Sequence, residues 1–309
     1  MEHQVRPIRA NLHARFDVSA TPVVAVESGD VVVFATPDVG WGLEPPTSTT
    51  APRKKVEPRD PVKDNGPCLC GPVAVRGAMA GDVLEIAIEA VRPAARGWTY
   101  SGAGMATPRH NTALGIGDTP LRLVRWTLDE ARRVATNQFG HTVPVRPFPG
   151  MIGLAPDPAQ DDGDGWRPRQ CGGNMDCREL IAGTTLFLPV MVEGGLLYVG
   201  DGHAAQGDGE LSGTAIECAM EEVRLRLTVR KGLRISGPRA RTVEGWVTIG
   251  FGATLDEAAE RATGAMLDLM EGELRVSRAE ALAVASSCVH LRVTQMVNPL
   301  RGVHALWAV

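Results

Sequence analysis

The sequence predicts a mainly β chain, β-rich α+β in class, with two helices near its C-terminus. Three observations carry this. Thirty-five glycines and 22 prolines punctuate short segments along all 309 residues, a spacing that favours strands and turns over a helical bundle. β-branched residues gather in strand-length runs. Helical periodicity with caps is found only late in the chain.

The elements follow in order. "VVAVESGDVVVFAT" (23–36) is two β-branched runs around Ser28-Gly29-Asp30, and "VAVRGAMAGDVLEIAIEAV" (73–91) has the same form around Ala80-Gly81-Asp82. Both leave the turn through Gly-Asp-Val, an echo too short to count as a repeat. The proline-rich stretch 36–67 and the Asp-rich stretch 155–174 read as long loops, which in compact proteins are often functional. "TTLFLPVMVEGGLLYVGD" (184–201) reads as a hairpin around Glu193-Gly194-Gly195. "EEVRLRLTVRK" (221–231) alternates Val223, Leu225, Leu227 and Val229 with Arg224, Arg226, Thr228 and Arg230, a half-buried strand with a wet basic face. Thr254-Leu-Asp-Glu257 and Ser277-Arg-Ala-Glu280 are capping boxes, each opening a helix. Leu255, Ala258, Ala262, Met266 and Leu269 form the buried stripe of the first. Residues 1–309 read as one catalytic unit, with 1–150 and 151–309 as the alternative division.

Composition narrows the function. A net charge of −4 offers no polyanion-binding surface, so nucleic acid is not expected as a partner. "MEHQVRPIRA" has no apolar signal core, and no apolar run approaches the ~18–20 residues of a membrane span, so a cytoplasmic protein without membrane contact is expected. Six cysteines without a CxxC pair read as reduced thiols. Potential edge strands in a sheet-rich body suggest a homo-oligomer, a dimer or higher.

Three stretches carry side chains that a solvated loop does not need: "NLHARFD" with His13, Arg15 and Asp17; "GGNMDCREL" (172–180) with Asn174 and Asp176; and "GDGHAAQGDGE" (200–210), continuing to Glu217 through "LSGTAIE". A hairpin over 184–201 would set the Asp176 and His203 loops side by side. Asp, His and Glu at one rim suit a divalent ion such as Zn²⁺. The alternation of Gly with Asp and His suits a tight bend around a small ligand. Pattern alone leaves open the plainer reading, in which Asp201 and Asp208 are turn residues and His203 a surface histidine.

The stretch 172–217 resembles the acetamidase/formamidase family, whose signature joins a Gly-Asn-Met-Asp turn to a Gly-Asp-x-His-Ala-x-Gln-Gly-Asp-Gly-Glu run and a Thr-Ala-x-Glu. The resemblance extends in order to "HARFD", "VESGDVVVFAT", "GPVAVRGAMAGDVLEIAIEAV", "PFPGMIGLAP" (147–156) and "VTQMVNPLRGVHA". It implies a jelly-roll-like β-sandwich body, hydrolysis of small aliphatic amides to carboxylate and ammonia, and zinc in some members. A relative acts on a γ-lactam. The chain is shorter than many acetamidases, which leaves the acyl preference open.

Amide hydrolysis needs a strong nucleophile, charge stabilisation on the carbonyl oxygen and a proton for the departing nitrogen. No G-x-S-x-G elbow is present. The lysines, Lys54, Lys55, Lys63 and Lys231, stand in charged or loop contexts unsuited to a Ser-Ser-Lys or Cys-Glu-Lys site. Cys177 has Asp176 beside it, which disfavours a thiolate. Water activated by a divalent metal remains the best-supported design. It assigns Asp176, Asp201 and His203 as ligands, Glu210 or Glu217 as general base and His13 as a contact either to the ligands or to the substrate. Asn174 either holds the amide or is a left-handed turn residue, and Asp208 holds the turn. Pro147, Phe148, Pro149 and Ile152 would wall a small acyl pocket, or only carry the chain between elements. The rival readings are a γ-lactamase using the same groups and a non-catalytic small-amide-binding protein.

Overall fold

The computed structural model describes residues 1–104 and 108–308. Among them, the chain forms a nine-stranded and a twelve-stranded sheet, with the helices Pro108–Ala113, Leu255–Leu274 and Arg278–Cys288. The two sheets share one apolar core. Val32, Phe34, Ile86, Ile88, Leu225 and Leu227 from the first meet Cys70, Val73, Ile152, Leu197 and Val199 from the second. This is the expected mainly β sandwich. The short helix Pro108–Ala113 was not expected; six residues are too few to show a helical period in sequence.

The two Gly-Asp-Val units each cross from one sheet to the other. Val24–Val26 and Leu69–Val75 pair in parallel in the twelve-stranded sheet, with Val24-Ala25-Val26 aligned on Val73-Ala74-Val75. After their turns, Val31–Thr36 and Val83–Pro93 flank opposite sides of Met220–Arg230 in the nine-stranded sheet. The turns match as well. The Asp30 carboxylate accepts from the amide of Glu27 at 3.0 Å, and that of Asp82 from Met79 at 2.8 Å. The echo in sequence is therefore an echo in structure.

The segment 184–201 is not a hairpin. Thr185–Pro189 pairs with Val83–Pro93 and Arg239–Arg241 in the nine-stranded sheet. Leu197–His203 pairs with Phe148–Leu154, Leu69–Val75 and Glu217–Cys218 in the other. A two-residue turn would have kept both strands in one sheet. Here seven residues, 190–196, intervene, and Gly194, Gly195 and Leu196 all have φ near +54 to +76°, turning the chain across the core. Leu197–His203 is buried at every position, as a central strand requires.

On Met220–Arg230, Val223, Leu225 and Leu227 are buried as expected. Its arginines are not free to bind an anion. Arg224 pairs with Glu2 and Glu89, Arg226 with Glu89, and Arg230 with Glu85. Leu255–Leu274 lays Ala258, Ala262, Met266 and Leu269 into a cluster with Val303, Ala305 and Trp307. Thr254 and Ser277 cap their helices, and Ser277 completes a reciprocal box with Glu280. No helix among the described residues is long and apolar enough to cross a membrane.

Candidate active site

Strand alternation sets the first part of the site. Asp201 and His203 lie two residues apart on Leu197–His203, so their side chains share one face, the face that carries Leu197 and Val199 into the core. Glu217 is directly opposite His203 on one neighbouring strand, and Phe148 on the other. The Phe148 ring stands edge-on to the imidazole at 5.1 Å. Gly200 and Gly202 are therefore strand residues rather than part of a bend, and neighbours exclude a side chain at both. A Cβ would lie 2.3 Å from the Cys68 carbonyl at Gly200 and 2.5 Å from Met220 at Gly202. The tight bend comes after His203, where Gly209 takes φ +95° and turns Glu210 inward.

Asp176 arrives by a different route from the expected hairpin. Gly172–Asn174 and Leu197–His203 both pair with Phe148–Leu154, which lies between them. The amide of Asp176 then donates to the Gly150 carbonyl at 3.0 Å. "PFPGMIGLAP" is thus the strand that joins the two halves of the site.

The result is two overlapping groups, Asp176–His203–Glu210 and Asp201–His203–Glu217, each with ligand atoms within 4.8 Å of one another. The five residues are 0 to 6% exposed. Asp176, Asp201 and Glu210 also have left-handed backbones, with φ of 49, 53 and 48°. Such conformations cost of order 1–3 kcal/mol each, and gather where function requires a fixed direction.

Gln206 fixes the direction of the imidazole. Its Nε2 lies 2.8 Å from the Asp176 carbonyl and 3.3 Å from the Thr294 carbonyl. Carbonyls only accept, so its NH₂ faces them and its Oε1 faces His203 Nδ1 at 2.9 Å. That oxygen also only accepts, so Nδ1 carries a proton. Nε2 is then the nitrogen that faces Asp201 and Glu217, 3.2 and 3.3 Å away, free to ligate a cation when the ring is neutral.

The electrostatics leave these groups short of positive charge. Burial, and then the Asp201 carboxylate, push Asp176 above the ordinary carboxyl range; burial, and then Glu217, do the same to Asp201. Glu210 is raised well above its usual range by burial and next by Asp176. At His203 burial opposes the charged ring, but Glu217 and Asp201 outweigh it and raise the imidazole well above its ordinary value. Asp176 Oδ1, Asp201 Oδ1, Glu210 Oε2, Glu217 Oε2 and His203 Nε2 are buried without a hydrogen-bond partner. A buried polar atom left unpaired costs about 1–3 kcal/mol, more when charged. A divalent cation at either group would satisfy the atoms of that group. The space for it is kept by Gly150, whose missing Cβ would fall 2.7 Å from His203 Cε1 and 2.8 Å from Asp176 Oδ1. The donor set, one imidazole nitrogen with carboxylate oxygens, could hold a divalent cation.

Other expected contributors stand elsewhere. Asn174 is not a left-handed turn residue. It pairs with Met151, which belongs to the cluster on the other face of the sheet, and its amide donates to the Trp166 carbonyl at 3.2 Å. The structure does not bring it to the acids. His13 lies opposite Leu69 and edge-on to Tyr198, both in that same cluster, so it too is turned away. Asp208 forms a 3.7 Å ion pair with Arg178. Cys177 is fully buried, and burial pushes its thiol far from ionisation. Lys63 is exposed in the long loop 36–67.

The chain matches the acetamidase/formamidase family over residues 1–163 and 159–298. It belongs to that family. An acetamidase of Mycolicibacterium smegmatis is 29% identical over 206 residues, 48% of this chain and 50% of that one, so the chain spans about half the length of this relative. The crystal structure of an acetamidase from Bacillus halodurans is 30% identical, with a TM-score of 0.84 over 99% of this chain and 97% of that one. A γ-lactamase from Delftia acidovorans shares the fold alone: 19% identity, TM-score 0.62, over 98% of this chain and 91% of that chain.

In this acetamidase/formamidase family member, three contributors escaped the sequence reading. Gln206 lay within the quoted motif but looked like filler, because its two roles depend on Asp176 and Thr294. Gly150 gave no signal, since its function is the space it leaves. Asn298, from "VTQMVNPLRGVHA", donates its side-chain amide to Asp176 Oδ2 across 122 residues of sequence. Gln206 gives a direct test. A Gln206→Leu chain should bind Zn²⁺ about 10–100-fold more weakly, read by competition with a chromophoric chelator. Unchanged affinity would show that the ring does not need this partner.

Proposed function

We propose that the chain hydrolyses short aliphatic amides of the formamide and acetamide type to carboxylate and ammonia, with a divalent ion, zinc by donor type, as cofactor. One observation carries this reading: five buried, unpartnered ligand atoms gather in two groups that share His203, beside which Gly150 leaves space. Family membership supports the choice of amides.

Of the expected ligands, His203 belongs to both groups while Asp176 and Asp201 belong to different ones. His203 would hold the ion with acids of one group, and Gln206 keeps its Nε2 aimed at the ion. When bound, such an ion polarises a carbonyl oxygen and lowers the pKa of water from ~15.7 towards ~7. The proteins' own groups then divide the remaining work. Glu217 is pinned, because its Oε1 accepts from the Ala215 amide at 2.9 Å, so it helps to fix the metal-binding wall. Glu210 sits on the Asp176 side of the imidazole and is the general base, moving the proton from the attacking water to the departing nitrogen. Phe148, edge-on to His203, and the apolar core behind it keep bulk water from the acids.

The test combines metal analysis with ammonia release from formamide, acetamide and a γ-lactam. Ammonia release from the linear amides should be abolished by chelator and restored by Zn²⁺. Undiminished activity in a verified metal-free preparation would remove the metal from the scheme, and absence of ammonia from every amide would remove hydrolysis.

A further inference from the structure

The buried acids of the site lie against the segment 296–300, which joins Val289–Gln295 to Arg301–Ala308. This tip belongs to the nine-stranded sheet but closes over a site built on the other. Asn298 is only partly buried and stands against Asp176, with its Nδ2 donating to Oδ2. Asp176 Oδ1, the oxygen that faces His203, is left free. The Asn298 side chain is a methylene bearing a carboxamide, the same chemical group as acetamide.

The backbone around Asn298 is held firmly. The fully buried Gln295 accepts at Oε1 from the amides of Val297 at 3.2 Å and Asn298 at 3.1 Å, and donates from Nε2 to the Leu300 carbonyl at 2.7 Å. Arg301 donates to the Asn298 carbonyl. The Met296 amide donates to the Gly209 carbonyl at 3.1 Å, tying the tip to the turn that presents Glu210. With the main chain fixed at these points, a side-chain rotation of Asn298 opens Asp176 Oδ2 without moving the segment.

We propose that the carboxamide of Asn298 occupies the seat of the substrate's amide group, so that the ligand-free chain is closed by a side chain that mimics its own substrate. The inference rests on the amide reading of the site and deepens it. The substrate displaces Asn298 and places its NH₂ on Asp176 Oδ2, on the flank where Glu210 can reach the leaving nitrogen. The ligands selected are amides that keep an N–H, because an N,N-disubstituted amide has none to give this carboxylate.

A protein that must open before it binds shows an affinity reduced by the fraction already open. Replacing Asn298 by Ala removes the competitor, so KM for acetamide should fall by about tenfold. N,N-dimethylacetamide should not compete in either chain. An unchanged or raised KM together with a lower kcat overturns the proposal, since it would mean that Asn298 only holds Asp176 in place. Competition by the dimethyl compound also overturns it. Asn298→Ser replaces the alanine variant if that chain fails to fold. If no amide is hydrolysed by the native chain, calorimetric titration with acetamide reads this inference alone: tighter binding to the variant supports it, and equal or weaker binding refutes it.

Discussion

A His203→Ala chain is expected to lose bound Zn²⁺ and to release ammonia from acetamide about a thousandfold more slowly. The imidazole is common to both groups of ligand atoms, so its removal leaves four carboxylates with no nitrogen donor. The effect should be chemical rather than structural. His203 packs against Phe148 at the edge of the core, while the strand pairs on either side are backbone-bonded and need no side chain there. Loss of the ring also removes the charge that pulls Asp176, Asp201 and Glu210 downwards, leaving burial and mutual repulsion to raise them. Metal content by elemental analysis and a thermal melt on the same sample separate the two effects. Native metal content in the variant would remove His203 from the ligand set.

Gly150→Ala should be nearly as damaging, although the change is one methyl group. The backbone of Gly150 is not in the left-handed region, so alanine meets no conformational penalty there. What it meets is His203 Cε1 at 2.7 Å, Asp176 Oδ1 at 2.8 Å and His203 Nε2 at 2.9 Å. Real Cβ contacts are not this short, so the imidazole and the Asp176 carboxylate must move apart. Overpacking of this kind costs about 1–3 kcal/mol, and here the displaced groups are the proposed ligands themselves. The expected outcome is a chain that folds, melts a few degrees lower, and has lost most metal and activity. Gly207→Ala is the control, because a Cβ at Gly207 has nothing within 4 Å. Equal metal content in the Gly150 and Gly207 variants would show that the space beside Gly150 is not used.

Particular residues show what could be read in advance. The Val-rich runs, the capping residues Thr254 and Ser277, and the Gly-Asp-Val turns act through neighbours a few positions away, and each forms as expected. The acids and histidine of 176–217 were visible for the same reason: their types and close spacing lie in one short stretch. The route that unites them was not visible. A hairpin at 184–201 was a sound local reading, yet both strands are apolar enough to be central. Each gains more by pairing inside a different sheet than by pairing with the other. The position of Asn174 depended on which strand Gly172–Asn174 met, and that of His13 on which face of Leu69–Val75 it met.

The sequence by itself determined the β class, the late helices, the family and the stretch that supplies the acids, because periodicity, caps and residue chemistry are properties of neighbours along the chain. The tertiary structure alone decided that Phe148–Leu154 bridges the two halves of the site, that Gln206 sets the tautomer of His203, and that Gly150 and Asn298 shape what can enter. The physical reason is that an empty space and a hydrogen bond across 122 residues exist only between elements, and strand order, which sets those meetings, is chosen by burial of whole strands rather than by any local signal.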